Sequence, residues 1–207
     1  MQILSHRGYW LEPAQKNTPP AFERSFSLGF GTETDVRDLN GQLVISHDPP
    51  QLGALSLQAF LSIYGQSGLP LAINIKADGL AQALKAALEA ARVSNFFVFD
   101  MSVPDMRPYR DLGMPYFTRL SEVEPSPAFL DDAMGIWLDS FSDTWFDANV
   151  LEHWLGAGKQ VCVVSPELHR RDHEATWALL YPFRQHKQLM LCTDLPEQAR
   201  DYFMETA

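Results

Sequence analysis

Residues 71–99 read LAINIKADGLAQALKAALEAARVSNFFVF, two apolar strand patterns separated by one amphipathic helix pattern. Leu71–Ile75 and Asn95–Phe99 are short and rich in aliphatic or aromatic side chains, which favours buried strands. Between them, residues 79–91 carry apolar side chains at helical spacing, which is typical of a helix with one buried face. A strand, a helix and a second strand in this order predict a parallel βαβ unit.

The same alternation runs through the whole chain and predicts an α/β fold. The strand candidates are Met1–Leu4, Thr32–Arg37, Leu71–Ile75, Asn95–Phe99, Tyr116–Arg119, Gly135–Leu138, Gln160–Val164 and Gln188–Leu191, with Leu43–Ser46 after an Asn-Gly hairpin turn. The helix candidates are Pro19–Leu28 (with Thr18 as N-cap), Ser56–Tyr64, Gly79–Ala91, Val103–Leu112, Phe146–Ala157, Asp172–Leu180 and Pro196–Met204. Eight such units predict one domain over residues 1–207, a (β/α)8 TIM barrel of minimal length with shortened loops. An open doubly wound sheet is the alternative.

One unit of the predicted barrel lacks a clear helix. Residues 121–133, SEVEPSPAFLDDA, follow the fifth strand candidate and are rich in proline and acidic residues. Such a composition favours irregular backbone over a helix.

Composition narrows the class of protein. The chain is 46% hydrophobic, enough to bury a substantial core. Its net charge of −10 argues against nucleic-acid binding, so an anionic substrate would need a metal or a few local cations. Without a membrane-length apolar run or a leader-like start, the sequence predicts no membrane span and a cytoplasmic location. Cys162 and Cys192 lie in apolar runs, which predicts buried, reduced thiols.

Two carboxylates on the second strand indicate a metal site. Glu33 and Asp35 are two residues apart, so they share one face of the strand. They repel each other unless a cation lies between them, and oxygen ligands suit Mg²⁺ or Ca²⁺. The alternative is a solvated polar strand face.

The strands next to this pair end in further reactive side chains. His6 and His47 each terminate a neighbouring strand, and imidazole transfers protons near neutral pH, so we predict a catalytic acid–base pair. Arg7 and Lys76 would supply positive charge to an anionic substrate. Asn74 shares a strand face with Lys76 and is a candidate neutral oxygen ligand of the metal.

Taken together, these motifs resemble the glycerophosphodiester phosphodiesterases. SHRGYW at 5–10 and KNTPPAFERSFSLGFGTETDVRDLNGQLVISHD at 16–48 are similar to that family's His-Arg-Gly start, Glu-Asn-Thr turn, acid-x-Asp strand and closing His-Asp, and INIK and LCTDLP match more weakly. The resemblance implies a barrel enzyme that cleaves a small phosphodiester with a divalent metal. The implied roles are acid–base catalysis by His6 and His47, metal binding by Glu33 and Asp35, and phosphate binding by Arg7 and Lys76. In this family a neighbouring glycerol hydroxyl attacks phosphorus, and water opens the resulting cyclic intermediate.

The sequence departs from the family pattern in three places. Lys16 replaces a glutamate, Asn74 replaces a third metal-binding glutamate, and the segment after Asp48 is short. Four acids are alternatives for completing the metal site: Asp78, which has the parity of Asn74 but lies past the end of that strand, and Asp100, Asp139 and Glu167 at other strand ends. The loop containing His169–Arg171 either binds a second anionic group or is a solvated charged loop. Two other functions stay open: a phosphorylated-ligand binder without turnover, and a lyase that stops at the cyclic phosphate.

Overall fold

A computed structural model describes residues 1–204 as nine strands, seven α-helices and short 3₁₀ turns. The strands are β1 (Gln2–His6), β2 (Gly31–Leu39), β3 (Gln42–Ile45), β4 (Leu71–Ile75), β5 (Phe96–Phe99), β6 (Phe117–Leu120), β7 (Gly135–Leu138), β8 (Gln160–Val164) and β9 (Leu189–Thr193). The helices are α1 (Pro19–Ser27), α2 (Leu57–Tyr64), α3 (Ala81–Ala90), α4 (Val103–Asp111), α5 (Ala148–Gly156), α6 (Glu174–Leu180) and α7 (Pro196–Met204).

Eight parallel strands form a nearly closed barrel. Their order is β5-β4-β2-β1-β9-β8-β7-β6, and β3 pairs antiparallel with the outer end of β2. The seam between β5 and β6 is closed by a parallel bridge from Val98 to Tyr116, where the Val98 amide donates to the Pro115 carbonyl at 3.0 Å. This is the predicted (β/α)8 TIM barrel, so the open-sheet alternative is wrong.

The local predictions hold with small differences in boundaries. Residues 121–134 contain turns, bends and one isolated bridge between Ser121 and Glu124, and no helix, as the prolines and acids predict. The β2–β3 hairpin turns at Asn40 and Gly41, whose φ angles of 52° and 79° suit this Asn-Gly pair. Thr18 occupies the N-cap position of α1 with extended backbone, but its hydroxyl donates to the Gln15 carbonyl and does not cap the helix. The predicted N-cap position with proline after it is therefore confirmed, without a capping hydrogen bond from the side chain.

Alternate residues of each strand divide the core into an inside and an outside. The inside holds one buried cluster: Leu4, Ala72, Phe97, Phe99, Phe117, Trp137, Cys162, Val164, Met190 and Cys192. The intervening residues pack against the surrounding helices in two further clusters. Both cysteines are free and buried, which confirms the prediction for them.

Stacked aromatic rings fill the inside of the barrel. Phe97 stacks on Phe117 at 3.6 Å between ring centroids, and Phe99 stacks on Trp137 at 3.9 Å. Gly135 makes room for this layer, because a Cβ there would lie 2.5 Å from the Phe117 ring. The polar residues that follow on the same strand faces therefore lie above an apolar, water-excluding floor.

Among residues 1–204, no helix has both the length and the apolar character needed to cross a membrane.

Candidate active site

The predicted site residues converge at the carboxyl ends of β1, β2 and β4. In the parallel register His6 pairs with Glu33, and Asp35 pairs with Asn74. Because paired residues point to the same side of the sheet, these four side chains share the inside of the barrel. Arg7 and Lys76 follow β1 and β4 directly and complete the group.

Asp35 is the centre of the charge arrangement. Its side chain is fully buried and lies 3.0 Å from Arg7 Nε and 3.6 Å from Lys76 Nζ. The Asn17 amide donates to its Oδ2 at 2.8 Å, and the Asn17 carbonyl oxygen accepts from Thr34. Asn17 thus fixes the orientation of Asp35. Asn17 belongs to the Lys-Asn-Thr turn, but the sequence alone does not show that it contacts Asp35.

Glu33 is buried beside Asp35 and accepts a hydrogen bond from the Arg7 backbone amide at 3.2 Å. Burial, with the charge of Asp35, raises the pKa of Glu33 to about 8 against the opposing effects of Arg7, Lys76 and Asn74. Without another positive charge nearby, this carboxyl favours its protonated form at neutral pH.

Two buried oxygens in this group have no hydrogen-bond partner. They are Oδ1 of Asp35 and Oδ1 of Asn74, which are register partners on adjacent strands. A buried oxygen without a partner is costly, and a hard cation would satisfy both. Across residues 1–204, no three His, Cys, Asp or Glu side chains form a metal-binding group. The Asn74 amide oxygen is a neutral oxygen next to Asp35 that could serve as a third ligand. These residues fit a divalent cation with two carboxylates and one amide oxygen.

His6 is held by an acid from the other end of the chain. Its Nδ1 lies 2.7 Å from Asp194 Oδ1, and its Nε2 lies 3.9 Å from Glu33 Oε2. Burial lowers the pKa of His6, while Asp194 opposes that shift. Burial alone would raise the pKa of Asp194, but the hydrogen bond and charge of His6, with Lys16, hold it below its usual range. Because a carboxylate accepts from Nδ1–H, the neutral ring presents an unprotonated Nε2 toward the site.

Behind Asp194 lies a second carboxylate, that of Glu167. It accepts hydrogen bonds from the hydroxyls of Ser165 and Thr193, and from the Asp194 backbone amide at 3.1 Å. These contacts join the ends of β8 and β9 and fix the turn that presents Asp194 to His6. Glu167 is one of the four acids predicted as alternatives for completing the metal site. In the structure it positions Asp194 instead.

His47 lies at the edge of the site. Its side chain is 44% exposed, and its Nδ1 lies 2.8 Å from Oδ1 of Asp48. It makes no hydrogen bond or ion pair with Glu33 or Asp35 in the described chain, but it lines a cavity of about 500 Å³ together with Arg7. His6 and His47 therefore differ in exposure, at 13% and 44% of their side chains.

The other acids considered for the metal site have partners of their own. Asp78 accepts from the Ser102 hydroxyl, and Asp100 accepts from Arg119 at 2.5–3.0 Å. Asp139 accepts from Arg119 at 2.6 Å and lies 2.7 Å from His169 Nε2. Asp100 is linked to the site by Lys76, whose Nζ lies 3.9 Å from Asp100 Oδ2.

The charged loop after β8 is engaged by the barrel. His169 is held by Asp139, and Arg171 donates to the carbonyl and hydroxyl oxygens of Ser140. Arg170 is exposed with a φ of 61°. Two of the three basic residues therefore have protein partners.

The backbone of the site is conformationally unusual. Arg7, Asn17 and Asp100 have φ angles of 58°, 59° and 66°, a region that residues other than glycine rarely adopt. Such conformations cluster where surrounding contacts hold side chains in place for function. The adjacent Gly8 is required by space as well, since a Cβ there would lie 2.9 Å from Ala21.

Comparison with solved structures finds the same fold in known phosphodiesterases. The chain is similar to a phosphodiesterase of Oleispira antarctica in complex with the product sn-glycerol-3-phosphate, with a TM-score of 0.73, 16% identity and coverage of 99% of this chain and 97% of that one. It is also similar to a glycerophosphodiester phosphodiesterase of Agrobacterium tumefaciens (TM-score 0.70, 17% identity, 98% of each chain). A Ca²⁺-dependent phosphatidylinositol-specific phospholipase C of Streptomyces antibioticus matches at a TM-score of 0.57 and 12% identity, over 96% of this chain and 95% of that one. No family model and no curated protein matches the sequence. At these identities the likeness establishes a shared fold, the one that the sequence resemblance implies.

Proposed function

We propose that this chain is a cytoplasmic, divalent-cation-dependent phosphodiesterase that hydrolyses a small glycerophosphodiester or a related alcohol phosphodiester to an alcohol and a phosphomonoester. One observation carries the proposal. A largely enclosed imidazole oriented by a carboxylate lies beside two buried carboxylates and two cations, at the mouth of a barrel shared with phosphodiesterases.

His6 is the base in this proposal. Asp194 holds its Nδ1–H, so Nε2 can accept the proton of the attacking glycerol hydroxyl. Burial keeps the free imidazole neutral, which is the form a base needs. The hydroxyl oxygen then bonds to phosphorus, and the bond from phosphorus to the leaving alcohol breaks.

Arg7 and Lys76 would bind the phosphate. Both lie against Asp35 without a complete set of hydrogen bonds, so their remaining donors are available to phosphoryl oxygens. Glu33, Asp35 and Asn74 would hold the divalent cation. When bound there, such a cation polarises the phosphoryl oxygens and favours ionisation of the attacking hydroxyl.

His47 would protonate the leaving alcohol. It is exposed at the edge of the cavity, where the alcohol has a path to solvent. Water then opens the cyclic phosphate by the reverse transfers, with His47 accepting a proton and His6 returning one.

The proposal is tested by assaying purified protein on a panel of glycerophosphodiesters with Mg²⁺, Ca²⁺ or Mn²⁺. We expect turnover that EDTA abolishes, and a loss of kcat of about 10²- to 10⁴-fold in His6→Gln, the usual contribution of a proton-transfer group. His153→Gln is the matched control, because His153 is exposed on α5. Absence of turnover with every metal and every diester would refute the proposal.

A second function follows from the neutralisation of Asp35. Because Arg7 and Lys76 both contact this carboxylate, the site could bind a phosphorylated ligand without a metal or turnover. In that case a diester raises the melting temperature but is not consumed. The remaining alternative is a lyase that stops at the cyclic phosphate. Phosphorus NMR of the products would identify it, because the cyclic phosphate accumulates.

A further inference from the structure

A cavity opens beside the candidate active site. It has a volume of about 500 Å³ and lies between the loop after β1 and the loop after β3. Its charged and polar lining includes Arg7, Lys16, Asn17, His47 and Asp48. Because Arg7 and His47 also belong to the proposed reaction, a group attached to the scissile phosphate can extend into this space.

Lys16 lines this cavity, and its ammonium group has few partners in the protein. The group lies 4.5 Å above the centre of the Trp10 ring and 3.5 Å from Oδ2 of Asp194, which is too far for a good hydrogen bond. Within residues 1–204 it donates no hydrogen bond. Lys159 shows the opposite arrangement, since its ammonium donates to three backbone carbonyls at 2.6–2.9 Å. Lys159 therefore stabilises the fold, whereas the donors of Lys16 are free for a ligand.

The charge balance of the cavity favours an anion. Arg7 and Lys16 contribute two permanent positive charges in a chain whose net charge is −10. The acid in its lining is Asp48, which is 87% exposed and is paired with His47. Asp35 lies 3.0 Å from Arg7, and Asp194 lies 3.5 Å from Lys16 without accepting a hydrogen bond from it, so the donors of Lys16 remain open to a second anion.

We infer that Lys16 forms an anion subsite for the alcohol portion of the substrate, so that the preferred diesters carry a phosphate or carboxylate on the leaving alcohol. This inference rests on the proposed function for the position of the scissile phosphate. The Trp10 ring and Asp194 hold the ammonium at the cavity wall, where its donors are available to the second anionic group.

Binding measurements separate this inference from the catalytic proposal. In a His6→Gln background, calorimetry compares glycerophosphoglycerol with the same molecule carrying a terminal phosphate. We expect the phosphorylated ligand to bind about ten- to a hundredfold more tightly, the range of one charge-assisted hydrogen bond. Lys16→Gln should remove this ratio, and Lys16→Arg, which keeps the charge, should retain it. Lys187→Gln is the control, because Lys187 is exposed near the start of β9, at the other end of the barrel.

The outcomes are distinct. Equal affinities for the two ligands, or a ratio that survives Lys16→Gln, would overturn the anion subsite whether or not the wild-type protein is an enzyme. Absence of turnover by the wild-type protein, with the ratio present and dependent on Lys16, would refute the catalytic proposal and leave the subsite standing.

Discussion

The buried Glu33 predicts an unusual dependence of stability on pH in metal-free protein. Its pKa rises from an ordinary 4.5 to about 8 because of burial and the neighbouring Asp35. Between these two values the folded state holds a proton that the unfolded chain releases. The free energy of unfolding therefore decreases as pH rises through this window, and the contribution levels off above the folded pKa.

The magnitude follows from the size of the shift. Each pKa unit corresponds to about 1.36 kcal/mol, so a rise from 4.5 to about 8 is worth roughly 5 kcal/mol across the window. That is a large fraction of the total stability of a domain, typically about 5–15 kcal/mol. Glu33→Gln keeps the shape and an acceptor for the Arg7 backbone amide but removes the titration.

The assay is urea unfolding of both proteins in EDTA at pH 5, 6, 7 and 8, followed by tryptophan fluorescence. Titrating groups outside the Glu33–Asp35 pair affect both proteins equally, so the difference between the two unfolding free energies reports on this pair. We expect that difference to shift by roughly 3.5 kcal/mol in favour of the variant between pH 5 and pH 8, because part of the window lies outside this range. Parallel pH profiles of the two proteins would show that Glu33 does not titrate in this window. Saturating divalent cation at pH 8 should stabilise the wild-type protein and have little effect on the variant.

Three substitutions test other parts of the site. Asn74→Glu adds a third carboxylate beside the unpartnered oxygens and should tighten Mg²⁺ or Ca²⁺ binding by about tenfold or more in calorimetry; unchanged affinity would place Asn74 outside the metal site. Glu167→Gln weakens the contacts that position Asp194 and should lower kcat by about tenfold to a hundredfold, with a smaller change in KM. The acidic limb of the pH–rate profile, measured in stopped assays, should also be displaced. Arg119→Met leaves the buried Asp139 without this partner and should cost about 3–5 kcal/mol of unfolding free energy in urea, a prediction that wild-type stability would contradict.

The strands could be predicted because each carries its signal locally. Leu71–Ile75 and Gly135–Leu138 have the predicted boundaries, since their apolar runs end where the chain leaves the barrel. The shared face of Glu33 and Asp35 could also be predicted, because side-chain alternation is a property of the strand itself. The irregular segment at 121–133 was likewise readable from its prolines and acids.

The contacts of His6 could not be predicted in the same way. Asp194 is 188 positions away and reaches His6 only because β9 pairs with β1 when the barrel closes. Its place at the end of a strand was visible, but its partner was not. The Glu167 contacts with the β9 turn depend on the same closure.

The alternation of strands and helices, the inward face of each strand and the residue types at the strand ends follow from the sequence, because they depend on neighbours a few positions apart. Which acid contacts His6, which cations balance Asp35 and how far burial shifts the pKa of Glu33 follow from the closed barrel. Those properties depend on distances between strands and on the exclusion of water, and both arise only when the barrel closes. Lys16 illustrates the difference: its charge is evident in the sequence, but only the folded loop shows that its donors face a cavity.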